Sequence, residues 1–141
     1  MKFELPEIKK LVLETTIPIR WGDMDAMGHV NNTNYFRYME VARLEWLTRL
    51  GDRLDKTTVQ GMVIVNAFCT FHRQFEYPST ILARMYVSEP GRTSFESWYT
   101  LTRVGEPDAV YTSGGAKVVW ADYGRQKSVA LPDFVREAVE G

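Results

Sequence analysis

The chain has 141 residues, 45% hydrophobic and 25% charged, with a formal net charge of -1. That size supports one core without cross-links, and so slight a charge supplies no bulk attraction to nucleic acid or to an anionic membrane. A lone cysteine, Cys69, rules out an internal disulfide and suits a reducing compartment, so a single domain over residues 1–141 in the cytoplasm is expected. Met1 to Thr16 interleaves Glu4, Glu7, Lys9, Lys10 and Glu14 with its apolar residues, which does not fit a signal peptide, and no stretch is apolar enough to span a bilayer.

The first predicted strand runs from Leu11 to Arg20, and Pro18 within it points to an edge position or a bulge. From about Thr33 the period becomes helical. Tyr35, Tyr38, Met39, Ala42, Trp46 and Leu50 share one face, and Gly51 is the expected left-handed C-terminal residue. Val41 and Leu44 lie off that stripe, as isolated surface residues or as a contact with another subunit. Strands follow over Met62 to Phe75, Ile81 to Val87, Ser94 to Val104 and Val110 to Trp120. Turns are expected at Glu89 to Arg92 and at Gly105 to Asp108. Leu131 to Val139 reads as a short closing helix with Pro132 in its first turn. Connections this short imply an antiparallel meander of about four strands, hence an α+β fold, and its open edges favour edge-to-edge dimerisation. Ser113-Gly114-Gly115 inside a strand calls for a close neighbour, either the helix or a ligand.

Chemistry concentrates where the first strand gives way to the helix. Arg20 to Asn32 holds Asp23, Asp25, His29, Asn31 and Asn32 with Gly22 and Gly28, and a helix start offers unpaired N–H groups to a developing oxyanion. Each residue also has a plainer use. Asp25 or Asn32 could cap the helix, Asp23 could order the loop or pair with Arg20, His29 could be structural, and Asn31 could satisfy loop backbone or touch substrate. Cys69, in an apolar strand, reads as a buried hydrophobe. Val63, Ile64 and Val65 could line a ligand tunnel or pack the core.

The run Asp23-Met24-Asp25-Ala26-Met27-Gly28-His29-Val30-Asn31-Asn32-Thr33-Asn34-Tyr35, followed by Tyr38, Glu40 and Arg43, resembles the signature of hotdog-fold thioesterases of the 4-hydroxybenzoyl-CoA and acyl-CoA thioesterase type. The hairpin Gly91 to Phe95 and Val118-Val119-Trp120 resemble that family too, so the likeness extends over about residues 12 to 123. It implies a hotdog fold, with a long central helix wrapped by a five- to six-stranded, mainly antiparallel sheet, and hydrolysis of an acyl-CoA, with acyl-carrier-protein thioesters ranked second. It puts Asp25 at the catalytic carboxylate, a backbone N–H near Asn32 at the thioester oxygen, and His29 in a positioning or proton-transfer role. In plant acyl-carrier-protein thioesterases an Asn stands between the Asp and the His, where this chain has Met27. Asn31, Tyr35 and Val63 are the expected acyl-side contacts, and Arg92, Thr93 and Ser94 of a neighbouring subunit the nucleotide contacts. A homodimer or a dimer of dimers, with no cofactor and no metal, is implied. Asp23-Met24-Asp25 as a phosphatase motif lacks the preceding apolar strand, and His72 gives Asp25 and His29 no metal-ligand spacing. The alternatives within the fold are an acyl-CoA binder without turnover and a hydratase or dehydratase.

Overall fold

The computed structural model describes residues 3–51 and 59–141. Alternation along the strands decides which sheet face becomes the core. In β3 (Thr80–Ser88) Ile81, Ala83, Met85 and Val87 are fully buried, and β4 (Ser94–Arg103) adds Phe95, Tyr99 and Leu101. Ala116, Val118 and Trp120 of β5 (Glu106–Asp122) continue the same surface. With β1 (Lys10–Pro18), β2 (Gln60–Phe71) and the two-residue β6 (Lys127–Ser128), these form a six-stranded sheet. Every pairing is antiparallel, in the order β1-β3-β4-β5-β2, with β6 on the end of β5.

That order corrects the expected four-strand meander. Only β3, β4 and β5 follow one another, while β2 pairs with β5, placing Met62 opposite Trp120. Residues 72–79, including Pro78, make too long a connection to act as a tight hairpin, so β2 is free to take the far side of β5. The last turn is also shorter than expected. It is confined to Val104 and Gly105, the glycine at φ +94°, and β5 already begins at Glu106.

Helix α1 (Asn32–Leu50) lies on the core face and buries Tyr35, Tyr38, Met39, Ala42 and Trp46, the expected stripe. Trp46 packs edge-on against Phe95 at 5.6 Å, and Tyr35 against Phe71 at 4.9 Å. Arg43 joins the buried set unexpectedly. Gly51 is right-handed, at φ -63° and ψ -26°, which overturns the left-handed expectation. Its N–H bonds to Thr48 O, which tightens the last turn of the helix. The close neighbour of Gly114 is the helix. A β-carbon there would sit 2.6 Å from both Met39 Sδ and Phe68 O.

Helix α2 (Asp133–Glu140) follows Pro132 and buries Val135 and Val139 beside Leu131. Lys10 Nζ donates to Ala138 O at 2.8 Å, which brings α2 to the β1 edge where Pro18 also sits. This is the hotdog arrangement of the α+β class. Among the described residues no helix is long and apolar enough to cross a membrane.

Candidate active site

Past β1 the chain leaves the sheet through a single 3-10 turn, Trp21–Asp23, and Asp23 ties that turn to the helix. Its Oδ2 accepts from Arg20 N at 3.0 Å and from the Tyr38 hydroxyl at 2.8 Å. Its carbonyl accepts from Asn31 N and from Asn34 Nδ2, each at 2.9 Å. Burial, and then the bond to Asp23, push the Tyr38 hydroxyl above its ordinary range, so it remains a donor. Asp23 thus orders the loop, using the backbone of Arg20 rather than its side chain.

Asp25 sits on a small loop closed by the Met24–Val30 bridge. Its N–H donates to His29 O at 2.7 Å, and its Oδ1 accepts from Met27 N at 2.8 Å and His29 N at 3.1 Å. Gly28, at φ +79°, supplies the left-handed residue this loop requires. Oδ2 accepts nothing among the described residues. Asp25 lines a cleft of about 580 Å³ with Trp21, Met24, Gly28 and Tyr77. One oxygen is therefore fixed and the other free to act. His29 meets Asp25 through its backbone alone, and its imidazole has no hydrogen bond among the described residues.

The helix cap is Asn31, not Asp25 or Asn32. Asn31 Oδ1 accepts from Thr33 N at 3.1 Å and Thr33 Oγ1 at 2.9 Å, and Asn34 N donates to Asn31 O. Asn32 is then the first helical residue, and its N–H meets no acceptor among the described residues. Next to it, a groove of about 490 Å³ between α1 and β2 is lined by Thr33, Asn34, Phe36, Met39 and Ile64 and by the charged Arg37, Glu40 and Arg43.

Other expected residues lie elsewhere. Tyr35 is 1% exposed, and its hydroxyl accepts from Phe75 N at 3.2 Å, so aromatic packing closes it off from a ligand in this protomer. Val63 lines a separate pocket with Val65, Val119 and Ala121, whereas Ile64 faces α1; period two splits the proposed tunnel residues between the two sheet faces. Arg92, Thr93 and Ser94 form a turn held by Leu131 N to Arg92 O and by Arg136 Nη2 to Gly91 O at 2.7 Å. That turn follows the end of β3, whereas Asp25 neighbours its beginning, where Ile19 N meets Ser79 O. Nine strand residues separate them by roughly 27 Å, so one protomer does not bring them together. Burial pushes the Cys69 thiol up to about 12, which removes it as a nucleophile near neutral pH. Sequence reasoning missed the exposed apolar rim at Trp21 and Tyr77, and it missed the burial of Arg43. Arg43 stands one turn after Met39, a spacing that could have revealed it.

A family model described as the thioesterase-like superfamily matches residues 19–139. The fold is similar to that of PA2801 from Pseudomonas aeruginosa, a provisional thioesterase, at 35% identity and a TM-score of 0.85 over 92% of this chain and 98% of that one. It is similar also to BH1999, a gentisyl-coenzyme A thioesterase, at 29% identity and a TM-score of 0.78 over 89% and 98% of the two chains. A provisional esterase of Aquifex aeolicus is 28% identical over 124 residues, 86% of this chain and 93% of its own.

Proposed function

Because the chain belongs to the thioesterase-like superfamily, we propose that it hydrolyses acyl-CoA thioesters to a free acid and CoA, with Asp25 as the acting carboxylate. The observation that carries this reading is one stitched loop presenting both chemical needs. Among the described residues Asp25 Oδ2 accepts no hydrogen bond, and the Asn32 N–H is unpaired at the helix start to which Asp23 ties the loop. The thioester oxygen would take the Asn32 N–H, where the helix dipole favours the negative charge that develops on it. Asp25 would then either take a proton from water as that water attacks the carbonyl carbon, or attack the carbon itself to give an anhydride that water opens. In both routes the C–S bond breaks, and the thiolate leaves to be protonated. His29, held by backbone bonds to Asp25, positions that carboxylate.

The nucleotide end of CoA is assigned to Arg92, Thr93 and Ser94 of a second copy, since the turn of the same copy is too far from Asp25. Arg92 is exposed and supplies a planar fork for phosphate. A cytoplasmic location remains part of this proposal.

Asp25→Asn is the direct test. The amide keeps an Oδ1 acceptor for Met27 N and His29 N but loses the charge, so the loop should persist. Thiol release from acyl-CoAs should fall at least about a hundredfold while the melting temperature holds. An unchanged rate would remove the role of Asp25. Tight acyl-CoA binding by the wild type with no thiol release would instead favour a binding protein.

A further inference from the structure

The groove along α1 reaches a cation without a counter-ion. Arg43 is 8% exposed, and its guanidinium lies 5.7 Å from the Tyr99 ring, whose hydroxyl accepts from Nη1 at 3.2 Å. Among the described residues it makes no other hydrogen bond and no ion pair. Tyr99 offers no charge in return. Its hydroxyl donates to Ser97 Oγ at 2.8 Å, and Ser97 Oγ donates to Ala116 O at 2.8 Å, so this chain of bonds ends on the backbone of β5. Glu40, the nearest acid on the helix, is engaged by Arg37 at 3.1 Å, and both side chains are well exposed. The guanidinium uses few of its five donors, and its unpartnered nitrogens still reach solvent, where a carboxylate would take them up.

Position along the groove limits what could bring that carboxylate. Asn32 and Arg43 are about 16 Å apart in helical rise, and even a side chain leaning fully toward the N-terminus leaves the guanidinium roughly 10 Å or more from the helix start. Phe36, Met39 and Ile64 line the space between, together with the charged Arg37 and Glu40. An acyl group whose carbonyl sits at Asn32 would lay a short carbon chain along that wall and end at Arg43.

We infer that Arg43 is the specificity-determining residue of the site and selects acyl groups that carry a second, terminal carboxylate. This rests on the thioesterase reading above. Arg43 is not a catalytic residue, since it stands apart from the reacting carbon and grips the far end of the acyl group.

Adipoyl-CoA and hexanoyl-CoA have the same six-carbon acyl length and differ in the terminal carboxylate, so their kcat/KM ratio isolates it. The wild type should favour adipoyl-CoA by at least about tenfold. In Arg43→Gln, which can still donate to Tyr99, the adipoyl value should fall at least about thirtyfold with the hexanoyl value within about threefold, and Arg43→Lys should recover part of the loss. Equal or reversed preference in the wild type overturns the inference. So does an equal loss on both substrates in a variant that melts like the wild type. If Arg43→Gln does not fold, the wild-type ratio decides alone. Should neither thioester be cleaved, the hydrolase reading fails by itself. Calorimetry of both thioesters then decides the inference: tighter binding of adipoyl-CoA that Arg43→Gln abolishes supports it, and equal binding overturns it.

Discussion

Asp23 and Asp25 stand two residues apart and are put to opposite uses by their surroundings. Asp23 spends its carboxylate on Arg20 N and on the Tyr38 hydroxyl, which binds the loop to the first turns of α1. Asp23→Ala strands the hydroxyl of the buried Tyr38 and should cost about 2 kcal/mol in urea unfolding, whereas Asp25→Asn should move stability by less than about 0.5 kcal/mol. Equal stabilities for the two variants would contradict this division. The structural use of Asp23 was legible in the sequence, where it was expected to order the loop or pair with Arg20, but its bond to Tyr38 depends on the 3-10 turn that faces it to the helix. Arg43 was harder to place. A charged residue invites assignment to the solvent side, and only its one-turn spacing from Met39 betrays the buried face. Tyr35 misled for the converse reason, since an aromatic residue on the stripe has the same spacing whether it meets a ligand or, as here, Phe71 and Phe75.

The elements themselves were largely legible, because strand period and helix period depend on local chemistry that the residues state directly. Strand neighbours were not. Which strand β2 joins depends on a long connection and on packing across the molecule, and neither leaves a local mark. Gly114 shows how tight that packing is. In Gly114→Ala the new methyl would press on Met39 Sδ and on Phe68 O. The thioether can rotate away, but the carbonyl belongs to β2, whose Phe68 and Cys69 pair with Gly115 and Gly114, so relief means loosening the β2–β5 ladder. We expect a loss of about 2–3 kcal/mol, read as a lower urea midpoint. Gly105→Ala is the control. It has open space but φ +94°, so backbone strain alone should cost about 1 kcal/mol. A smaller loss at Gly114 than at Gly105 would refute the packing argument.

The two sheet edges differ in how they are defended. β1 carries Lys10 and Pro18 and has α2 alongside, features that block another strand from pairing. β2 has no charged residue over Gln60–Phe71, pairs only with β5 among the described residues, and exposes Val63 at 39% and Val65 at 56%. An uncharged twelve-residue edge is a ready template for a second copy of itself, and a second copy would also offer Asp25 an Arg92 turn that its own chain holds roughly 27 Å away. Association and activity should therefore fail together. Light scattering after size exclusion should give a dimer or larger at micromolar concentration, and Val63→Lys with Val65→Lys should shift it to monomer. The same double substitution should lower kcat/KM at least about tenfold for an acyl-CoA but much less for the acyl-pantetheine thioester, which lacks the nucleotide that Arg92 would hold. A wild type that is monomeric and fully active would refute the shared site, and equal losses on the two thioesters would separate dimerisation from nucleotide binding.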